Sequence, residues 1–244
     1  MGKITVITGG TSGIGRGIAE KILAESAKTD RIFVTYGHDE KKALSFQESL
    51  PEEKRSQVTL IKADMSSYEE MMVFVEELKK QTDHIDWLVS NAGISTYAKY
   101  EDYSFEEWTR IVNTNLSVPV FMVKELRSMM VEGSVLFTGS YAGQQAYSSS
   151  LVYGVTKAAI HFLTRSLVKE FEPKGITVNA IAPGFIETPW HSARTQESYD
   201  RINRKIALHR FGTVEEVADM AYAVLSNGYM NGSVVDIHGG YDYF

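Results

Sequence analysis

Along this chain, short runs of apolar, mostly β-branched residues alternate with longer stretches in which apolar residues return every three or four positions. The first pattern belongs to strands buried on both faces, the second to amphipathic helices. Runs at 4–8, 31–36, 58–63, 85–89, 133–140, 176–182 and 233–237 predict seven strands. Ile14, Ile18, Ile22 and Leu23 mark one side of a helix after the first run, and a second helix starts near Tyr68. A long helix is expected from Ser104 to about Met130, carrying Trp108, Ile111, Val112, Leu116, Val120, Phe121 and Val123. Asparagine fits a helix interior poorly, so Asn115, followed by Pro119, has a task or marks a kink. Two more helices are expected, one holding Tyr153 and ending near Phe171, the other from Phe211 to Leu225. In the last, Thr213 is the N-cap and Glu216 completes a capping box. Residues 188–210 are polar and weakly helical, the pattern of a lid over a site. Strict alternation of strand and helix predicts one α/β domain over 1–244, a seven-stranded parallel sheet doubly wound by helices on both faces.

Composition narrows the chemistry. The 244 residues are 43% hydrophobic and 23% charged, enough for one sizeable core. A net charge of −6 without a long basic run argues against a nucleic-acid partner. The absence of cysteine excludes disulfides and thiol nucleophiles. Six scattered histidines show no ligand spacing, so no metal is expected. No leader or membrane span is visible, which makes the cytoplasm the expected location. A G-x-S-x-G elbow and a G-x-x-x-x-G-K-[ST] loop are both missing, which removes hydrolase and P-loop readings.

Candidate chemistry sits where strands end. The first strand runs into Gly9-Gly10-Thr11-Ser12-Gly13-Ile14-Gly15 and then a helix, a geometry that offers backbone N–H groups and a positive helix end to a phosphate. The same turn also serves as a plain strand-to-helix connection; its place after a buried strand favours a nucleotide. The second strand ends in Tyr36-Gly37-His38, without the acid that usually receives ribose hydroxyls. Asp39 and Glu40 come late and read as the start of a helix, with Lys41 and Lys42 behind them. Asp64-Met65 follows the third strand, where Asp64 either accepts from an adenine amine or belongs to the cap of the next helix. Ser90-Asn91-Ala92-Gly93 makes a small polar turn after the fourth strand, and Ser140 closes the fifth. Tyr153 and Lys157 lie four apart, on one helical face. A phenol beside an ammonium is a tunable acid, and bringing it from about 10 to neutrality takes roughly 4 kcal/mol.

In order and spacing, Thr8–Gly15, Asp64, Asn91-Ala92-Gly93, Asn115, Ser140, Tyr153-x-x-x-Lys157 and Pro183-Gly184 resemble the short-chain dehydrogenase/reductases over essentially the whole chain. The resemblance implies a Rossmann-type domain and hydride transfer between a nicotinamide and a carbonyl/alcohol pair. Residues 183–188 and Gly239-Gly240-Tyr241 look most like the branch of 3-oxoacyl-thioester reductases and sugar or steroid alcohol dehydrogenases. By that resemblance Tyr153 is the general acid or base, and Ser140 holds the substrate oxygen. Lys157 lowers the Tyr153 pKa and bonds the ribose, and Asn115 holds a relay water. Gly9, Thr11, Ser12, Gly13, Ile14 and Gly15 serve the pyrophosphate side, and Tyr36, His38, Asp64, Met65, Asn91, Ala92 and Gly93 the adenosine side. Pro183, Gly184, Ile186 and Thr188 serve the nicotinamide. Tyr141, Gln144, Tyr147, Trp190 and His191 join Ser140 and Tyr153 in the substrate pocket. The missing acid leans the cofactor toward NADP(H) over NAD(H), although Ser12 stands where NADP-preferring relatives often carry arginine. Relatives serving acyl carrier protein often carry a basic cluster before the fifth strand; here that place reads Met129-Met130-Val131-Glu132, and only Lys174 stands nearby. A free small carbonyl or alcohol is therefore expected, with 3-oxoacyl-[acyl-carrier-protein] reductase as the alternative and a catalytically silent nucleotide sensor as the reading from another class. Relatives are commonly tetramers, so a tetramer or dimer is expected, paired through helices near 104–130 and 151–171, which carry Phe121, Met122 and Phe162, and through the C-terminal strand.

Overall fold

The computed structural model describes residues 2–146 and 150–241. Its strands are β1 (Ile4–Ile7), β2 (Arg31–Tyr36), β3 (Val58–Lys62), β4 (Trp87–Ser90), β5 (Gly133–Thr138), β6 (Ile176–Pro183) and β7 (Val234–Ile237). They form one parallel sheet in the order β3-β2-β1-β4-β5-β6-β7. The helices are α1 (Gly13–Glu25), α2 (Glu40–Ser49), α3 (Glu52–Arg55), α4 (Tyr68–Gln81), α5 (Phe105–Val112), α6 (Val118–Leu126), α7 (Leu151–Phe171), α8 (Gln196–Asn203) and α9 (Val214–Ser226).

The period of two along each strand divides the core into two layers. Val6, Leu88, Val135 and Ala180 face α4, α6 and α7. Their neighbours Ile7, Val89, Leu136 and Ile181 face α1, α2 and α9. Both faces are thus covered, which is why the strands read as continuous apolar runs. Connections leave β1 and β4 in opposite directions along the sheet, so a crevice opens at their carboxyl ends.

The helix expected over 104–130 is broken. α5 stops at Val112, a π-helical turn spans Asn113–Ser117, and α6 resumes at Val118. Local chemistry favours the break. Pro119 has no N–H to return to the Asn115 carbonyl, and the Thr114 hydroxyl donates to the Arg110 carbonyl at 2.8 Å. Thr213 and Glu216 do form the expected capping box on α9. Of the apolar residues expected near a subunit contact, Phe121 and Phe162 are exposed, while Met122 is a core residue against the sheet.

Candidate active site

A single cavity of about 530 Å³ occupies the crevice. Its floor begins at the β1–α1 turn. Gly9 and Gly13 have positive φ, 62° and 52°, which suits glycine alone in so tight a turn. At Gly15 a Cβ would lie 2.4 Å from both the Asn91 Nδ2 and the Gly9 carbonyl oxygen, so only hydrogen fits there. Ser12, the N-cap of α1, uses no side-chain cap, which leaves the first N–H groups of the helix pointing at the cavity's end. This cradle and the cavity's size fit a dinucleotide.

Asn91 ties the strand ends together. Its amide donates to the carbonyls of Thr8 at 3.1 Å and Gly9 at 3.2 Å, and its Oδ1 accepts from the Thr138 hydroxyl at 3.1 Å. The Thr8 hydroxyl in turn accepts from the N–H groups of Asn91 and Ala92, both at 3.0 Å. β1, β4 and β5 are thereby locked in depth beneath the site.

At the β2 end, Asp39 caps α2 by accepting from Lys42 N at 2.9 Å, and is committed there. No carboxylate among the described residues replaces it on the β2 side of the cavity, where Gly37 and His38 form the wall. His38 pairs with Asp64 at 3.3 Å. Burial works against ionisation of Asp64, but hydrogen bonds from Ser66 and the charges of His38 and Arg110 hold its carboxyl below the usual value. Ser67, not Asp64, caps α4, which leaves Asp64 to face the cavity.

At the other end, Ser140 follows β5, and Tyr153 and Lys157 rise from the first turns of α7. Ser150 caps that helix, its hydroxyl accepting from Tyr153 N at 3.4 Å. All three side chains line the cavity. Lys157 is 4% exposed, and its Nζ donates to the Thr138 carbonyl at 2.6 Å, 5.5 Å from the centre of the Tyr153 ring. Burial lowers its pKa to about 8, so it stays mostly charged at neutral pH. The expectation that Lys157 lowers the Tyr153 pKa is not what the site displays. Burial pushes the phenol up, and it is the Ser140 hydrogen bond that opposes the rise. Desolvation of the phenolate dominates here.

Other placements differ from expectation. Asn115 is buried behind the cavity wall; its side chain accepts from Ile94 N at 2.9 Å and donates to the Ile94 carbonyl at 2.9 Å and the Thr156 hydroxyl at 3.1 Å. It clamps the turn after Gly93, where a Cβ would sit 3.4 Å from its Oδ1 and 3.6 Å from Lys157 Nζ. Tyr141 does not line the cavity but stacks on His238 at 4.0 Å, and Gln144 hydrogen-bonds Asp236. Thr11 and Tyr36 also stand outside the lining, whereas Ser12, Ile14, Met65, Ala92, Pro183, Gly184, Ile186, Thr188, Trp190 and His191 belong to it. Tyr147 lies outside the described residues.

Three residues were missed. His161, one turn beyond Lys157, accepts from Ser140 N at 3.3 Å through Nε2, and Gly139 leaves room for it, since a Cβ there would lie 2.4 Å from that nitrogen. Burial, with the Lys157 and Arg165 charges, lowers its pKa to about 4, so it is neutral and can accept. The i, i+4 step from Lys157 was its only sequence signal. Arg110 and Arg194 also line the cavity, from segments with no motif.

A parallel doubly wound domain whose strand ends cradle a dinucleotide beside a Ser-Tyr-Lys cluster defines a nicotinamide-dependent oxidoreductase. Comparison with known proteins agrees. Residues 9–242 match the family model described as enoyl-(acyl carrier protein) reductase. The chain is 34% identical to the 3-oxoacyl-[acyl-carrier-protein] reductase FabG of Aquifex aeolicus, over 98% of this chain and 97% of that protein. It is 31% identical to an acetoacetyl-CoA reductase of Rhizobium meliloti, over the full length of both. The solved structure of a Pseudomonas aeruginosa RhlG/NADP active-site complex superimposes with a TM-score of 0.89 at 29% identity, over 98% of this chain and 96% of that one. The protein belongs to the short-chain dehydrogenase/reductase family and is an NAD(P)(H)-dependent oxidoreductase that moves a hydride between nicotinamide and a carbonyl/alcohol pair. Among the described residues no helix is long and apolar enough to cross a membrane.

Proposed function

We propose that this enzyme is an NADPH-dependent reductase of a small carbonyl compound that is not bound to a carrier protein. The observation that carries the reading is the meeting of Ser140, Tyr153 and Lys157 on one cavity, with the Tyr153 phenol, which burial keeps protonated, in the form a carbonyl reduction needs. Bound NADP(H) supplies the hydride and the positive nicotinamide ring that remains after transfer. Tyr153 gives its proton to the carbonyl oxygen while Ser140 holds that oxygen by a hydrogen bond, so carbonyl, hydride and proton become the alcohol. Lys157, charged and anchored on the Thr138 carbonyl, supports the phenolate that forms and is placed to bond ribose hydroxyls. Gly9, Gly13, Ile14 and Gly15 hold the pyrophosphate, and Asp64 meets the adenine. Ile186 and Thr188 meet the carboxamide. Asn115 acts by fixing the turn at Gly93 and Ile94. Residues 188–210 serve as the lid.

NADPH is favoured because no carboxylate stands on the β2 side to repel a 2′-phosphate, and Asp39 is already spent as a cap. The exposed Phe121 and Phe162 support assembly as a homo-oligomer. A second reading, 3-oxoacyl-thioester reduction, is favoured by the relatives' names, FabG and acetoacetyl-CoA reductase. Titration with NADPH and NADH, followed by nicotinamide fluorescence, tests the cofactor. Turnover of free 3-oxo esters against acetoacetyl-CoA then separates the readings, and binding of neither cofactor would refute both.

A further inference from the structure

Arg194 presents a charge that the fold leaves unanswered. It lines the same cavity as Ser140 and Tyr153, on the stretch between β6 and α8. Its Nη1 donates to the Ser198 hydroxyl at 2.8 Å, and its Nε is buried without a hydrogen-bond partner among the described residues. The guanidinium lies over the Phe185 ring, 5.6 Å from its centre. Glu187, whose charge is felt at the Tyr199 phenol together with that of Arg194, hydrogen-bonds Tyr199. Among the described residues no carboxylate stands within ion-pair distance of Arg194. Its other titratable neighbour, His191, is buried beside it, and burial followed by the Arg194 charge lowers that imidazole to about 4, so His191 brings no negative charge.

Arg194 is only partly buried, but its Nε is shielded from solvent, and a guanidinium partly stripped of water against aromatic walls gains from an anion in the cavity. Its planar fork matches a carboxylate through two parallel hydrogen bonds. We infer that Arg194 anchors the substrate, and that the substrate is an oxo acid, a compound whose reducible carbonyl and free carboxylate share one short chain. The inference rests on the reductase reading above. It also explains how a small molecule is held in one orientation: the carbonyl end meets Ser140 and Tyr153, and the carboxylate end meets Arg194. A purely structural Arg194, stacked on Phe185 and bonded to Ser198, would be indifferent to the charge of the substrate.

The test uses the full chain with NADPH and a series of oxo acids with two to four carbons between carbonyl and carboxylate, each beside its methyl ester. The wild type should prefer the acids. Arg194→Gln should lower kcat/KM for the acids by about 30-fold, the effect of losing a charge-assisted pair, and for the esters by less than about 3-fold. Arg194→Lys should recover part of the loss. An unchanged NADPH affinity checks that each variant is folded. Equal turnover of acids and esters by the wild type, or an equal loss on both in Arg194→Gln, overturns the inference and leaves the reductase reading standing. Binding gives an independent readout: 4-oxopentanoate should bind the wild-type NADPH complex and not the Arg194→Gln complex in calorimetry. Failure to bind the wild type overturns the inference. NADPH binding without turnover of any acid, ester or thioester refutes the reductase reading instead.

Discussion

Replacing His161 by leucine should make the protein less stable at pH 8 and less sensitive to acid. His161 is 4% exposed, so little solvent screening softens the effect. Its pKa is about 4 in the fold against 6.5 for the ordinary imidazole. A histidine with a lowered folded value stabilises the protein fully above 6.5, and that stability drains away as pH falls toward about 4. The whole gap corresponds to about 3 kcal/mol, of which about 2 kcal/mol is already lost at pH 5. At pH 8 leucine orphans the buried Ser140 N–H, which costs about 1–3 kcal/mol. Urea unfolding, followed by tryptophan fluorescence at fixed protein concentration, should therefore show the mutant clearly weaker at pH 8. By pH 5 the two proteins should draw about 2 kcal/mol closer. His161→Gln, which keeps an acceptor for Ser140 but does not titrate, should restore much of the stability lost at pH 8 in the leucine variant while keeping the shallow acid slope. Parallel stability curves for wild type and His161→Leu between pH 8 and pH 5 would refute the argument.

Tyr153→Phe should reduce turnover by at least about 100-fold with NADPH affinity nearly intact, because the phenol acts in proton transfer; steady-state kinetics beside fluorescence titration checks both. Lys157→Met should impair rate and binding together in the same two assays. Gly15→Ala would place a Cβ 2.4 Å from Asn91 Nδ2 and from the Gly9 carbonyl, so NADPH affinity should fall by more than about 10-fold and the melting temperature should drop. Thr213→Ala removes half of the α9 capping box and should cost about 1 kcal/mol in urea unfolding with activity unchanged. Gly37→Asp, at a position that lines the cavity and where a Cβ meets nothing within 4 Å, puts a carboxylate on the β2 side, and the ratio of kcat/KM for NADPH over NADH should fall at least about 10-fold.

The strands were legible because each is buried on both faces, and a parallel sheet writes that burial as an unbroken apolar run. The glycine turn and the Tyr153–Lys157 spacing were legible because backbone approach and helical pitch constrain residue type directly. What stayed hidden depends on contacts between distant segments. Tyr141 and Gln144 follow Ser140 in sequence, yet their side chains leave the cavity to meet His238 and Asp236 on the far edge of the sheet. His161 meets Ser140 only because α7 packs beside β5 and β6. The raised phenol of Tyr153 reflects burial, which a spacing rule does not register.

The π turn at Asn113–Ser117 also constrains how this segment can change length. Each α-helical residue advances the chain by about 100°. An extra residue in a plain helix would therefore rotate α6 about its axis by that amount relative to α5, whereas the wide turn absorbs it and keeps the two segments in phase. Met122, Val123 and Leu126 thus stay on the sheet while the turn presents Asn115 to Ile94 and Thr156, and deleting one residue there would restore a regular ladder but lose that Asn115 placement. The α-helical ladders on either side of this turn have no such slack, so other length variation in relatives or in engineered forms belongs in the loops that flank residues 105–126.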